Sequence, residues 1–112
     1  MKPVGTQIRT IHEQLRELAE INADPAAGGI TREVFTPEYT RANAFVLALM
    51  EQAGLAARVD AFGNLFGRIA GTDPDAAAVL TGSHIDTTLN AGAYDGVLGV
   101  LGGIEALRGL LE

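Results

Sequence analysis

The sequence predicts an α/β protein in which helices pack on a mixed β-sheet. In three segments apolar residues recur every three or four positions, which is the spacing of helices with one buried face. Between the second and third segments the spacing changes to every second residue, and a short continuous apolar run follows, as in strands. The predicted order is therefore helix, helix, hairpin, buried strand, loop and helix, an α/β layout with the beginning of a mixed sheet.

The first predicted helix spans about residues 6 to 22. Its apolar stripe consists of Ile8, Ile11, Leu15, Leu18 and Ile21. A stretch rich in alanine, glycine and proline, from Asn22 to Gly29, ends it. His12 lies beside the stripe, and we interpret it as a solvated surface side chain rather than a ligand.

The second helix has clear signals at both ends. Thr36 suits the N-cap, Pro37 suits the first helical position, and Glu38 complements the positive end of the helix dipole. Gly54 stands where a left-handed residue commonly ends a helix. The predicted inner face consists of Ala42, Phe45, Val46, Leu49, Met50 and Ala53.

The strands and the third helix follow. Residues 57–61 alternate in polarity, residues 62–64 form a turn, and residues 65–69 return as the second strand of a hairpin. The apolar run from Ala76 to Thr81 predicts a strand covered on both faces. The last helix extends from about Gly96 to Leu111, and Gly99, Gly102 and Gly103 favour a close approach to a sheet.

Composition limits the kinds of partner and site. The net charge is −6 and the charges are spread along the chain, which argues against binding to nucleic acid. There is no cysteine, so any metal must be bound by nitrogen and oxygen. With no apolar signal core and no run of about 20 apolar residues, the chain is expected to be cytoplasmic and to have no membrane partner. The composition says little about a small-molecule substrate.

Three side chains near the end of the predicted buried strand are candidates for chemistry. His84 and Asp86 are two residues apart, so an extended backbone points both the same way. Asp95 follows within one loop, just before the last helix, where a carboxylate could reach back and bridge two cations. The spacing alone also allows simpler roles, with Asp86 capping a turn beside an ordinary histidine and Asp95 capping the helix.

The sequence around these residues resembles the amidase branch of the M20 metallopeptidase superfamily, which holds N-carbamoyl-L-amino-acid hydrolases, allantoate amidohydrolases and β-ureidopropionases. The resemblance covers nearly the whole chain. The matching runs are 79–87, then Asn90, Gly92 and 94–100, and upstream 29–32, 35–37 and 60–68. Neither a dinucleotide-binding glycine fingerprint nor a phosphate-binding loop is present in the sequence.

The resemblance implies both a fold and a site. Residues 1–112 would be the amino-terminal portion of a phosphorylase/hydrolase-like (zinc-exopeptidase) catalytic domain, without the satellite domain that carries the dimer surface. His84 would ligate one metal ion and Asp95 would bridge two, while Asp86 would be the catalytic acid that orients His84. The cofactors would be two divalent ions of zinc, manganese, cobalt or nickel, in a parent enzyme that is a homodimer. A cis peptide bond between Asp95 and Gly96 is also implied for an intact enzyme.

The implied activity is hydrolysis of C–N bonds in N-carbamoyl-L-amino acids or in ureides such as allantoate. Two departures in the loop, Thr88-Leu89 and Ala91-Gly92-Ala93, leave the substrate subclass open. Further metal ligands and the general base are expected outside this chain, so the isolated chain is expected to bind metal weakly and to be inactive. The alternatives are an M20 aminoacylase or dipeptidase, and a non-catalytic interaction fragment with an incomplete site.

Overall fold

The computed structural model describes residues 7–112. Apart from one short 3-10 turn, the elements are α1 (Ile8–Ala19), α2 (Pro37–Gln52), β1 (Ala56–Val59), β2 (Leu65–Arg68) and α3 (Val97–Leu110). The predicted order of helices and hairpin is confirmed, and the fold is a small α/β arrangement with helices packed on a two-stranded sheet. The predicted start of the first helix at residue 6 lies outside the described residues. None of the described helices is long and apolar enough to span a membrane.

The core lies between the three helices and the hairpin. Leu18 of α1, Val46 of α2 and Leu101 of α3 are completely buried in it. The helix α1 packs on α3, while α2 packs on the hairpin. His12 is exposed on α1, as predicted.

The ends of α2 form as the sequence predicts. The Thr36 hydroxyl oxygen accepts a hydrogen bond from the backbone N–H of Tyr39 at 3.3 Å, which satisfies one free donor of the first turn. Gly54 has φ 86°, the left-handed conformation expected after the helix. Of the predicted inner face, Ala42, Val46 and Met50 are buried, and the other members pack against the core while partly exposed.

The hairpin turn is stabilised by one carboxylate. Asp60 accepts hydrogen bonds at 2.9 Å from the side-chain amide of Asn64 and from the backbone N–H groups of Asn64 and Phe62. These bonds, with the Asn64 side chain contributing most, lower the pKa of the Asp60 carboxyl. The strands pair antiparallel, with Ala56 opposite Arg68 and Val59 opposite Leu65.

The prediction of a buried strand at Ala76–Thr81 is wrong for this structure. Residues 77–88 have no strand pairing, and Val79 and Leu80 are 98% and 87% exposed. A cavity of about 500 Å³ separates Leu80 and the residues after it from β2. Because the run has no strand neighbour within residues 7–112, nothing covers its apolar side chains.

One face of this segment does contact α3. A Cβ added to Gly103 would lie 3.2 Å from Thr81, and one added to Gly99 would lie 2.8 Å from the Ser83 side chain. The predicted close approach of α3 to a sheet is therefore not what forms: Gly99 and Gly103 approach the unpaired segment at Thr81 and Ser83, whereas Gly102 faces open space. The contact holds the segment that leads into His84 against the helix that follows Asp95.

A buried carboxylate joins α1 to α3. Glu105 is 5% exposed. It accepts from Arg108 Nε and Nη2 at 2.9 and 2.8 Å, and from the backbone N–H of Gln7 at 2.9 Å. The hydrogen bonds from Arg108, the largest influence, lower the pKa of the Glu105 carboxyl, and the Gln7 bond acts in the same direction.

We expect Glu105→Gln to lower the free energy of unfolding by about 2 kcal/mol at pH 7, because one charge-assisted acceptor becomes an amide that faces a guanidinium. Since the folded pKa lies below the ordinary 4.5, the carboxylate stabilises the fold fully above that value and loses its effect as pH falls through the folded pKa. Urea unfolding at pH 7 and at pH 3 measures both effects. Glu38→Gln, in a 4.0 Å pair with the exposed side chain of Arg41, is the control, and an equal loss there would contradict the prediction.

Candidate metal centre

The imidazole of His84 is held on one side by Asp86. His84 Nδ1 lies 2.9 Å from the backbone carbonyl oxygen of Asp86 and 3.5 Å from its carboxylate Oδ1. Both oxygens accept hydrogen bonds, so the geometry assigns a proton to Nδ1. In a neutral imidazole this leaves a lone pair on Nε2, the form in which histidine binds metals.

Asp95 lies on the other side of the ring. Its Oδ1 is 3.3 Å from His84 Nε2, so a lone pair and a carboxylate oxygen face each other. That arrangement requires a cation or a proton between the two atoms. Two ligands at about 2.0–2.1 Å from a tetrahedral ion stand about 3.3 Å apart, which matches the separation of these atoms. The pair of donors therefore fits a divalent ion.

A proton between the same atoms is the simpler alternative. A charged imidazolium would form an ion pair with Asp95 at this distance. The side chains of His84 and Asp95 are 51% and 59% exposed, and ion pairs in such positions contribute at most about 1 kcal/mol. A site that binds a cation and a site held by a protonated ion pair are expected to differ in their affinity for metal.

A tight turn at Gly96 brings Asp95 to the ring. The Val97 N–H donates to the Asp95 carbonyl at 2.9 Å, and Gly96 has φ 74° and ψ −54°, a strained γ-turn conformation. A Cβ on Gly96 would lie 2.5 Å from His84 Cε1 and 2.6 Å from Nδ1. Glycine is thus required both for the turn and for the close approach of the ring. From the sequence, Gly96 is expected only as the start of the last helix and as part of the matching run 94–100, and neither predicts its contact with His84.

The loop between His84 and Asp95 is fixed by a distant segment. Ile30 and Ala91 exchange backbone hydrogen bonds at 2.9 Å in each direction. The Asn90 N–H donates to the Thr31 hydroxyl oxygen at 3.0 Å, which holds Asn90 in a left-handed conformation with φ 53°. Sequence reasoning did not assign a function to residues 29–32, since no local signal shows which loop they contact.

The structure thus brings all three predicted side chains together, while their catalytic and metal-binding roles stay predictions. Within residues 7–112 no group of three or more histidine, aspartate or glutamate side chains is arranged to hold a metal ion, so His84 and Asp95 would be a bound ion's protein ligands here. Every peptide bond in this part of the chain is trans, including Asp95–Gly96, so the cis bond implied for an intact enzyme is not present.

No protein-family model matches the chain. Similarity to individual proteins is nevertheless extensive. An N-carbamoyl-L-amino acid amidohydrolase from Geobacillus stearothermophilus is 48% identical over 100 residues, which are 89% of this chain and 24% of that protein. An allantoate amidohydrolase from Bacillus subtilis is 43% identical over 103 residues, or 92% of this chain and 25% of that protein.

A solved structure agrees with these relatives. The crystal structure of a hydantoinase/carbamoylase family amidase from Burkholderia ambifaria superimposes with a TM-score of 0.88 at 38% identity, over 98% of this chain and 27% of that one. The chain spans about a quarter of the length of the curated relatives it matches. In sequence and fold it belongs to the hydantoinase/carbamoylase amidase family of the M20 superfamily, as the resemblance predicted.

Proposed function

We propose that this chain is part of a metal-dependent amidohydrolase that cleaves the C–N bond of N-carbamoyl-L-amino acids. The proposal rests on one observation: His84 Nε2 and Asp95 Oδ1 face each other at 3.3 Å, a separation that fits a divalent ion bound by both atoms. The 48% identity to an N-carbamoyl-L-amino acid amidohydrolase supports the substrate class.

The roles of the three residues follow from their positions. A bound divalent ion would polarise the scissile carbonyl and lower the pKa of a bound water. His84 and Asp95 would hold that ion, and the two oxygens of the Asp95 carboxylate allow it to bridge to a second one. Asp86 would keep the proton on His84 Nδ1 and raise the basicity of Nε2. Zinc, manganese, cobalt and nickel all suit this nitrogen and oxygen donor set.

Allantoate is the second candidate substrate. The allantoate amidohydrolase of Bacillus subtilis is 43% identical over a similar share of the chain. Both substrates present a urea-type carbonyl beside a carboxylate, so the same ions could polarise either. The relatives' names favour these ureides over the acylated amino acids and peptides of an aminoacylase or dipeptidase.

The remaining parts of the proposal concern the parent protein. We place residues 1–112 in the amino-terminal portion of the catalytic domain of a cytoplasmic homodimer. Neighbouring strands from the rest of that domain would cover Val79 and Leu80, which are exposed in this structure. The same region would supply the missing metal ligands and the general base.

A chimera tests the proposed activity. The matching quarter of the Geobacillus relative is replaced by this chain, and release of amino acid from N-carbamoyl-L-amino acids is measured with added zinc or manganese. We expect hydrolysis by the chimera, a loss of more than about 1,000-fold with His84→Ala, and little change with His12→Ala. The isolated chain is expected to be inactive. A chimera whose hydrolysis survives His84→Ala would rule out the proposed role of the site.

A further inference from the structure

Arg32 is a buried charged residue to which the proposed function assigns no role. It is 2% exposed, and it lies in the segment that contacts the loop between His84 and Asp95. A guanidinium stays charged in proteins, so burial requires partners for its donors. Its partners lie at two places: the carboxyl end of α1 and the backbone on either side of Asp86.

Three hydrogen bonds join Arg32 to the backbone and side chain that flank Asp86. Arg32 Nε donates to the Ile85 carbonyl at 3.1 Å, which belongs to the peptide group before Asp86. The Thr87 N–H, in the peptide group after Asp86, donates to the Arg32 carbonyl at 2.9 Å. The Arg32 N–H donates to the Thr87 hydroxyl oxygen at 2.8 Å. Both peptide groups of Asp86 are thus bound by one residue.

The other end of the guanidinium is fixed to a helix. Arg32 Nη1 donates to the carbonyls of Leu18 and Ile21 at 3.0 and 2.9 Å. The Leu18 carbonyl lies in the last turn of α1 and also accepts from the Ile21 N–H at 3.0 Å, and Ile21 follows just after the helix. A positive charge is favourable at this end of a helix. Burial lowers the pKa of Arg32, and the Asp86 carboxylate opposes that shift. The helix therefore serves as a rigid support for the backbone at Asp86.

We propose that Arg32 is a positioning residue that fixes Asp86 and, through it, the orientation and tautomer of the His84 imidazole. Asp86 holds His84 Nδ1 with its own carbonyl as well as its carboxylate, so a shift of its backbone moves the ring directly. The planar fork of arginine reaches Ile85 and α1 at once, whereas the single nitrogen of lysine cannot bind both in this geometry. The inference rests on the proposed function only for what the ring would bind.

Gly29 gives an independent way to disturb the same contact. Its ideal Cβ would lie 2.5 Å from the carbonyl carbon of Asn90, in the loop between the two predicted ligands. Because the Asn90 atoms that this Cβ would meet belong to the backbone, they cannot move aside as the end of a flexible side chain could. Gly29→Ala should therefore separate the 29–32 segment from the loop without removing any side-chain donor.

The test uses the 112-residue chain labelled with ¹⁵N, which contains two histidines. Imidazole nitrogen shifts report the His84 tautomer without metal, and calorimetry reports zinc affinity. We expect Arg32→Met, Arg32→Lys and Gly29→Ala each to reduce the Nδ1-protonated form and to weaken zinc binding at least about tenfold. The controls Arg41→Met and Gly71→Ala, at exposed positions, should change neither quantity.

Circular dichroism identifies variants that do not fold. Should Arg32→Met unfold, the folded Arg32→Lys and Gly29→Ala chains decide the matter. Unchanged imidazole shifts and zinc affinity in those two variants would overturn the inference. A wild-type chain that binds no zinc but whose tautomer changes in the variants would support the positioning role and count against the proposed metal site, so the two failures are distinguishable.

Discussion

Gly96→Ala is expected to eliminate measurable divalent-ion binding and to lower the free energy of unfolding by about 3 kcal/mol. Two costs act together at this position. An alanine in the γ-turn conformation carries backbone strain of about 1–3 kcal/mol. Its Cβ would also overlap the His84 carbonyl oxygen and ring, and relieving such overpacking costs about 1–3 kcal/mol more.

The overlap distinguishes this position from other turns in the chain. To make room, either the ring must leave Asp95 or the Asp95–Val97 turn must open, and both separate Nε2 from Oδ1. Gly63→Ala is the matched control, because Gly63 also has a positive φ of 96° but nothing lies within 4 Å of its added Cβ. In Gly63→Ala, backbone strain should lower the free energy of unfolding measured in urea, while the zinc affinity measured by calorimetry should stay unchanged. Equal zinc affinities in the two variants would contradict the expected clash.

The helices and the hairpin could be predicted because their signals are local. Thr36, Pro37 and Gly54 mark the ends of α2 within the sequence itself, and the structure places each in its expected role. Burial of Val79 and Leu80 could not be decided in the same way. An apolar run predicts a covered strand only where neighbouring strands exist, and residues 7–112 provide none beside it.

In the candidate site, too, the local contact could be predicted from the sequence and the long-range contacts could not. The spacing of His84 and Asp86 predicts that both side chains point the same way, and the two residues are in contact. The convergence of Asp95 depends on how the intervening loop folds. That loop is hydrogen-bonded to Ile30 and Arg32, which lie more than fifty residues earlier in the chain. Such contacts have no periodicity or motif, so only the family resemblance indicated that residues 29–32 matter.

His84→Ala is expected to weaken zinc binding by at least about 100-fold, because it removes one of two direct ligands. His12→Ala is a closely matched control, since His12 is the chain's other histidine and lies exposed on α1. Calorimetry of the folded chain at pH 7 measures both variants. Equal affinities would show that zinc binds elsewhere.

The same measurement distinguishes a shared cation from a proton between His84 and Asp95. If a proton lies between the two atoms, zinc must displace it, and calorimetry in buffers of different ionisation enthalpy detects the released proton. If Nε2 instead carries a lone pair, zinc binds without releasing a proton from the ring. Asp86→Ala should weaken zinc binding by about 10–100-fold, because it removes the carboxylate that lies 3.5 Å from Nδ1. Zinc binding without proton release, together with that loss, would assign Nε2 as the ligand atom and Asp86 as the residue that orients it.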